Sequence, residues 1–210
     1  TENRTPVHFR ELPTNLVNAL TATEDERFYE HSGIDFKGTA RAILKPGSGG
    51  ASTITQQLAR MLFTGRASRN KAKRVLQKLK EWVVATKLEK QYTKNEIIAQ
   101  YLNIYDFGNN GDGIRSASRI YFAKEPIDLD ISESAMLVGM LKNSSLYNPR
   151  PHKNPVGVKN RRNVVFGQMY KYGFINKQLK DSLQLTDLKL NYTPESHRDG
   201  IAPYFREYLR

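Results

Sequence analysis

Apolar residues recur along most of this chain at the three-to-four-residue spacing of amphipathic α-helices. The first predicted helix opens at Pro13, because proline favours the first helical turn, and Leu16 and Leu20 mark its inner face. A second helix is predicted over residues 36–44, and the glycine-rich stretch 46–50 ends it. The chain therefore begins with two helices followed by a glycine-rich break.

Capping residues mark where later helices begin. Three pairs match the capping box, in which a hydroxyl or carboxylate is followed three positions later by Gln or Glu: Thr53 with Gln56, Thr93 with Glu96, and Asp130 with Glu133. The third pair precedes an apolar helix, 134–141, which we expect at the centre of the domain. Further helices are predicted over 68–90, 114–122, 160–172 and 179–185, with an irregular arm at 148–155 and one strand at 188–192. The predicted fold class is mainly α.

The predicted helix 68–90 carries two different stripes at helical spacing. One is mostly apolar and consists of Val75, Leu79, Trp82 and Thr86; the other is charged and consists of Lys71, Arg74, Lys78 and Glu81. A solvated face with pairing between neighbouring turns would explain many such stripes. This one is mostly of one sign and would repel itself without a ligand, so it is a candidate anion site.

Composition narrows the class of protein. The 210 residues include 33 Lys and Arg against 21 Asp and Glu, a formal net charge of +12, which indicates an anionic partner. The sequence has no cysteine, which excludes disulfides and cysteine zinc sites. It has no run of about 18 apolar residues, the minimum for a membrane-spanning helix.

The stretch 21–35 holds the first candidate chemistry. Glu24 and Asp25 are adjacent carboxylates at a predicted helix end, and aromatic Phe28 follows at once. A carboxylate held beside aromatic rings is a candidate general base, whereas a solvated helix end is the alternative. A second cluster, Ser52 to Gln56, places hydroxyls and an amide on a helix N-terminus, which suits an anion. Ordinary capping explains one or two of those side chains.

These residues belong to a set of five short motifs in a fixed order. The first, E-D-x-x-F-Y-x-H-x-G, is matched by Glu24, Asp25, Phe28, Tyr29, His31 and Gly33, and the second, G-x-S-T-I-T-Q-Q, by residues 50–57. The third, R-K-x-x-E, is matched by Lys78 and Glu81, with Gln77 in place of arginine. The fourth, K-x-x-I-L-x-x-Y-L-N, falls on 94–103 with Ile98 in place of leucine, and the fifth, R-x-x-x-V-L, on Arg161, Val165 and Phe166.

The set resembles the peptidoglycan glycosyltransferase domain of class A penicillin-binding proteins, glycosyltransferase family 51. The resemblance implies polymerisation of lipid II: the 4-hydroxyl of the acceptor GlcNAc attacks C1 of the growing chain's MurNAc, undecaprenyl pyrophosphate leaves, and the configuration inverts from α to β. By the same resemblance Glu24 is the general base. Glu81 is the second essential carboxylate, which orients the site or supports a metal.

The resemblance also implies roles for the other motif residues. Substrate binding is expected of Asp25, Phe28, Ser52, Thr53, Gln56, Gln57, Arg60, Arg74 and Lys78. Lys78 and Arg60 would hold the pyrophosphate, Arg74 could replace the motif arginine missing at Gln77, and Asp25 either touches the acceptor or positions its loop. Structural roles are expected of His31, Gly33, Tyr101, Asn103 and Arg161, with Tyr101 and Asn103 bracing the core behind Glu81. We expect no metal on protein side chains, and any Mg²⁺ or Mn²⁺ would come with the substrate pyrophosphate.

The implied organisation is a lysozyme-like domain that works at a membrane. We expect an extended segment over 1–12, the glycosyltransferase domain over 13–186 and a linker over 187–210 toward a transpeptidase domain outside this sequence. A jaw subdomain, roughly 34–65, would either face the membrane or simply pack its apolar residues. The expected location is the extracytoplasmic face of the bacterial plasma membrane, with the anchor outside this sequence. Expected partners are lipid II, the growing glycan strand, moenomycin-type inhibitors and other cell-wall synthesis proteins.

Two other functions compete with this interpretation. A lysozyme-like hydrolase could use the two carboxylates as acid and base, but a neutral leaving group would not need a row of cations. A basic helical module for nucleic acid would explain the charge. It would leave the first two motifs unexplained, so we expect no nucleic-acid partner.

Overall fold

The computed structural model describes residues 6–44, 52–65, 68, 70–150 and 154–193. The helices in these ranges are α1 (Thr14–Glu24), α2 (Phe36–Leu44), α3 (Ile54–Ala59), α4 (Lys71–Gln91), α5 (Lys94–Ile104), α6 (Gly113–Phe122), α7 (Ile131–Met140), α8 (Pro155–Lys171) and α9 (Lys177–Leu185). Short 3-10 turns cover Phe9–Glu11 and Pro126–Asp128, and α3 continues into a π-helical turn, Arg60–Thr64. Within the described ranges, β-type pairing is limited to one isolated bridge between Asp106 and Asp112. The mainly α fold class is confirmed.

The predicted caps start α5 and α7. Thr93 and Glu96 bond each other's backbone N–H groups, and Asp130 and Glu133 do the same. Each reciprocal pair satisfies two N–H groups that a helix start leaves without partners. Local side-chain chemistry therefore sets these two boundaries.

Two elements differ from the sequence prediction. The helix expected from residue 160 begins at Pro155, because Asn154 accepts the Gly157 N–H and proline suits the first helical position. The expected strand at 188–192 has no pairing strand among the described residues. Instead the backbone N–H of Asn191 donates to the Tyr121 carbonyl at the end of α6.

Helix α1 places its last residue, Glu24, within reach of side chains from α8 and α3. Its Leu16 and Leu20 are completely buried. On one side α1 packs against α7 and α8, and on the other side α3 packs against α4 and α5. Burial of such side chains contributes about 1.5–3 kcal/mol each, so the position of the α1 end is fixed by the core.

Helix α4 exposes the first two residues of its apolar stripe and buries the continuation of its charged stripe. Val75 is 62% exposed and Leu79 is 50% exposed, whereas Glu81, Ala85 and Leu88 are buried. The buried face therefore continues the charged stripe rather than the apolar one. This arrangement turns Lys78 toward α3.

The chain ends are described only in part. Asn103 exchanges two hydrogen bonds of 2.9 Å with the backbone of Val7, which fixes the first described segment to α5. Residues 9–11 form a 3-10 turn, so the extended segment predicted over 1–12 is interrupted there. The glycine run of the predicted jaw, residues 1–5, and most of the predicted linker (194–210) lie outside the described residues. The three domain boundaries stay predictions.

Candidate active site

The Glu24 carboxylate is held by side chains from two other helices. Gln57 of α3 donates its Nε2 hydrogen to Glu24 Oε2 at 3.0 Å. The Arg161 guanidinium of α8 lies 3.7 Å from Glu24 Oε1. The Glu24 side chain is 15% exposed, so a substrate can reach it. An oriented, accessible carboxylate meets the geometric requirement for a general base.

Asp25, its neighbour, is turned into the protein. Its carboxylate accepts the Ile54 backbone N–H at 3.0 Å and faces His31 Nε2 at 3.0 Å. His31 Nδ1 accepts the Gly33 N–H, so Nε2 carries the proton that is donated to Asp25. Asp25 therefore caps the N-terminus of α3 and anchors its own loop. Of the two roles expected for Asp25, these hydrogen bonds support positioning, and the structural role of His31 stays a prediction.

Gly33 joins the first two motifs to α4. Its carbonyl accepts hydrogen bonds from Thr53 Oγ1 at 2.8 Å and from Gln56 Nε2 at 3.1 Å. The Gln56 side chain is thus used there and does not complete the capping box predicted with Thr53. Gly33 has a φ of +90°, and a Cβ at this position would lie 2.9 Å from the backbone carbonyl of Ala85. Only glycine fits both the conformation and the gap.

Replacing Gly33 by alanine is expected to destabilise the domain by about 1–3 kcal/mol through backbone strain and overlap with α4. Gly167→Ala is the matched control, because Gly167 is inside α8 and a Cβ there meets no atom within 4 Å. That control should gain up to about 1 kcal/mol of helix propensity. Urea unfolding of both variants measures the difference. Equal stability of Gly33→Ala and the wild type would contradict the close approach.

Lys78 is the central cation of the second half of the site. Its Nζ donates to Ser52 Oγ at 2.8 Å, Gln56 Oε1 at 2.9 Å and Glu81 Oε2 at 3.2 Å. Three acceptors match the three N–H groups of an ammonium. Burial, with a smaller effect of Arg60, lowers the pKa of Lys78 from its ordinary value, while Glu81 opposes that shift. Lys78 is therefore held rigidly at the floor of a cleft.

A pocket of about 440 Å³ opens beside Lys78. The residues that line it are Ser52, Arg60, Arg74, Val75, Gln77, Lys78 and Glu81. Three cations and one carboxylate give this lining an excess of positive charge, which suits a phosphate or pyrophosphate. Ser52 also lines the pocket that contains Glu24. We call the pocket beside Lys78 the cation pocket, because Arg60, Arg74 and Lys78 line it. It adjoins the Glu24 pocket at Ser52.

Gln77, which replaces the arginine of the third motif, has a structural position. Its Oε1 accepts the Ser68 N–H at 3.1 Å, and its Nε2 donates to the Thr64 carbonyl at 3.3 Å. Gln77 thus ties the segment before α4 to the end of the π-helical turn. Arg74, one turn earlier, lines the cation pocket, as expected of a replacement for the missing guanidinium.

Three residues predicted to bind substrate, Phe28, Thr53 and Gln56, are instead parts of the framework. Phe28 is completely buried beneath Lys94, whose Nζ lies 4.3 Å from the ring centroid. Thr53 is also buried, and its hydroxyl is used by Gly33 and by the α3 backbone. Gln56 is completely buried as well, and its amide bonds Gly33 and Lys78. These predictions are corrected because all three side chains lack an exposed surface that a substrate could contact.

The two residues expected behind Glu81 lie elsewhere. The Tyr101 hydroxyl donates to Gln57 Oε1 at 3.1 Å, so Tyr101 supports the Glu24 side of the site. Asn103 bonds the Val7 backbone and stabilises the N-terminal segment. The hydrogen bonds of these two residues therefore go to Gln57 and Val7 and not to Glu81.

Sequence reasoning missed the contribution of α8 to the Glu24 pocket. Arg161 was expected to make a structural ion pair, and its partner is Glu24 itself. Gln168, Lys171 and Tyr172 line the same pocket. They follow Arg161 by seven, ten and eleven residues, a spacing that repeats one face of a helix. This helical periodicity is the sequence signal that could have indicated that these side chains lie on the same face as Arg161.

Two features are absent from the described residues, a metal-binding cluster and a membrane-spanning helix. No group of three or more His, Cys, Asp or Glu side chains there could hold a metal ion. No helix in the same ranges is both long enough and apolar enough to cross a membrane.

Comparison with known proteins identifies the family. The transglycosylase family matches residues 1–170. Penicillin-binding protein 1F of Bacillus subtilis (strain 168) is 39% identical over 216 residues, covering 100% of this chain and 28% of that protein. Penicillin-binding protein 1A of Escherichia coli (strain K12) is 37% identical over 217 residues, covering 100% of this chain and 24% of that protein.

A solved structure shows the same fold. The crystal structure of penicillin-binding protein 1A from Haemophilus influenzae matches with a TM-score of 0.55 and 22% identity, over 100% of this chain and 20% of that chain. The chain thus spans about a quarter of the length of the curated relatives it matches. On the family match and the identities, the chain belongs to the transglycosylase family, the peptidoglycan glycosyltransferases of class A penicillin-binding proteins.

Proposed function

We propose that this chain polymerises lipid II into β-1,4-linked glycan strands for the bacterial cell wall, with inversion and release of undecaprenyl pyrophosphate. One observation carries the proposal: an oriented, accessible carboxylate at Glu24 adjoins a cation pocket around Lys78, and Ser52 lines both. Glycosyl transfer from a pyrophosphate needs both parts, a base for the acceptor proton and cations for the leaving group.

Glu24 is the base in this mechanism. The 4-hydroxyl of the acceptor GlcNAc donates its proton to the Glu24 carboxylate as its oxygen attacks C1 of the donor MurNAc. Attack on the face opposite the pyrophosphate inverts the anomeric configuration. Gln57 and Arg161 hold the carboxylate in one orientation during this step.

The cation pocket receives the leaving pyrophosphate. Lys78 lies at its floor, with Arg60 and Arg74 in its wall, and charge on the departing oxygens is stabilised by these fixed cations. Glu81 holds Lys78 at 3.2 Å and is therefore a positioning residue rather than a second base. Among the described residues lining this pocket Glu81 is the single carboxylate. It fits a Mg²⁺ or Mn²⁺ carried by the pyrophosphate, because such ions use one or two carboxylates with phosphate oxygens.

The location that we propose is the extracytoplasmic surface of the bacterial plasma membrane. Large apolar side chains lie exposed on α2, on the π-helical turn and on α4, namely Phe36, Leu44, Leu62, Phe63, Val75 and Leu79, and Val75 also lines the cation pocket. Phe36 is 71% exposed and Phe63 is 65% exposed, which disfavours the alternative that the jaw residues only pack one another. Such a surface suits insertion among lipid headgroups, and the net charge of +12 adds attraction to anionic lipids.

Gel analysis of lipid II turnover in detergent tests the proposal. The wild type is expected to produce long glycan strands, and a moenomycin-type inhibitor is expected to stop their formation. Cleavage of preformed glycan without polymerisation would support the lysozyme-like hydrolase. Binding of duplex DNA by a folded chain that neither turns over lipid II nor binds the inhibitor would support the nucleic-acid module.

A further inference from the structure

Two consecutive hydrogen bonds, which we call the relay, connect the interior of the domain to the Glu24 carboxylate. Tyr101 of α5 donates its hydroxyl hydrogen to Gln57 Oε1 at 3.1 Å, and Gln57 of α3 donates from Nε2 to Glu24 Oε2 at 3.0 Å. Tyr101 is completely buried, and Gln57 is half-buried. Three helices, α5, α3 and α1, are thus joined through these three side chains.

The chemistry of the three side chains fixes which group donates and which group accepts in each hydrogen bond of the relay. An ionised carboxylate only accepts hydrogen bonds, so Gln57 must present its amide nitrogen to Glu24 and its amide oxygen to Tyr101. That oxygen needs a donor, and the phenol supplies it. Burial, with the charge of Glu24 adding to it, raises the pKa of Tyr101 well above its ordinary value. The phenol therefore keeps its hydrogen throughout the pH range in which the enzyme would work.

We propose that Tyr101 is a positioning residue of the transfer reaction, which acts through Gln57 to fix the orientation of the Glu24 carboxylate. The proposal rests on the proposed function, since it requires Glu24 to be the base. Without the phenol, the Gln57 amide can rotate and present its oxygen to Glu24, which repels the carboxylate and turns it from the acceptor hydroxyl. Effects of this kind are large, because a misplacement of about 1 Å can cost a factor on the order of 100 in rate.

A neighbouring tyrosine provides the matched control. Tyr105 follows Tyr101 by four residues in the chain, and the two ring centroids are 6.1 Å apart. Its hydroxyl donates to the Met140 and Leu141 carbonyls and has no bond to Gln57. Tyr105→Phe therefore removes a hydroxyl from the same aromatic cluster while leaving the relay intact.

The first test compares steady-state kinetics of lipid II polymerisation in the two variants. We expect Tyr101→Phe to lower kcat by about 10- to 100-fold with KM within about twofold of the wild type. Tyr105→Phe is expected to keep kcat within about twofold, since the hydroxyl that it removes bonds the Met140 and Leu141 carbonyls and no group of the relay. A KM increase with unchanged kcat in Tyr101→Phe, or equal kcat in both variants, would overturn the proposal.

A double-mutant cycle separates positioning from packing. Gln57→Ala removes the middle of the relay and is expected to lower kcat at least as much as Tyr101→Phe does. If Tyr101 acts through Gln57, adding Tyr101→Phe to Gln57→Ala changes kcat by less than about twofold, whereas independent effects multiply. Multiplying effects would refute the relay. Should Tyr101→Phe not fold, Gln57→Ala alone decides, because full activity of that variant is incompatible with the proposal.

The same assay distinguishes this inference from the proposed function. An inactive wild type would refute the proposed function, whereas a Glu24→Gln variant as active as the wild type would refute Glu24 as the base together with the relay that depends on it. An active wild type with an inactive Glu24→Gln variant and a fully active Tyr101→Phe variant would refute only the relay.

Discussion

Replacing Glu24 by glutamine is expected to lower the rate of lipid II polymerisation by about 10²–10⁴-fold, the usual contribution of a general base. Glutamine has nearly the same shape as glutamate, but its amide cannot take the proton of the acceptor hydroxyl. The change should lower kcat and leave binding of lipid II nearly unchanged, because the cation pocket around Lys78 is not altered. Initial rates at saturating lipid II measure this effect.

The control for Glu24→Gln is Glu30→Gln, which removes an exposed carboxylate from the same loop. It should keep the wild-type rate. That result would show that loss of one negative charge near the site does not by itself inactivate the enzyme. Thermal melting of both variants checks that the fold is retained. Equal product from Glu24→Gln and the wild type would mean that the base lies elsewhere, with Glu81 as the next candidate.

Replacing Lys78 by alanine is expected to lower turnover by about 10²–10³-fold, the usual effect of removing one group that stabilises developing charge. The pyrophosphate would lose the cation at the floor of its pocket, and Glu81 would lose the ammonium 3.2 Å away that balances its charge. The fold should survive, because Lys78 is only partly buried and its neutral partners Ser52 and Gln56 remain.

Lys80→Ala provides the comparison for Lys78→Ala. Lys80 lies two residues later in α4 and is exposed, so its removal changes the net charge equally without touching the pocket. If both variants lost the same fraction of activity, the effect would be one of overall charge. Near-normal turnover of Lys78→Ala would remove Lys78 from the leaving-group site.

Much of the fold was predictable because helix boundaries are coded locally. The reciprocal caps of Thr93 and Asp130 begin α5 and α7 where the sequence predicted them. The start of α8 was missed because Asn154 and Pro155 resemble loop residues until the Asn154 side chain is seen to cap the helix. The strand expected at 188–192 was wrong, since its alternation reflects packing against α6 rather than strand pairing.

The residues of the site were predictable as a set, but several of their positions were not. The five motifs named Glu24, Gln57 and Lys78; in the structure Gln57 bonds Glu24, and Glu24 and Lys78 line two pockets that share Ser52. It also buries Phe28 and Thr53, which motif membership alone had suggested as substrate contacts. Motif membership marks residues that the site requires; it does not distinguish those that would touch substrate from those that hold the site together.

The sequence by itself determined the helical class, most helix starts and the motif set, because capping and periodicity act over three or four residues. Only the tertiary structure decided which face of α4 is buried. The apolar Val75 and Leu79 lie outside, since packing α4 against α3 places Lys78 and Glu81 inward. A local pattern specifies which residues share a face, whereas the partner of that face depends on contacts between residues far apart in the chain.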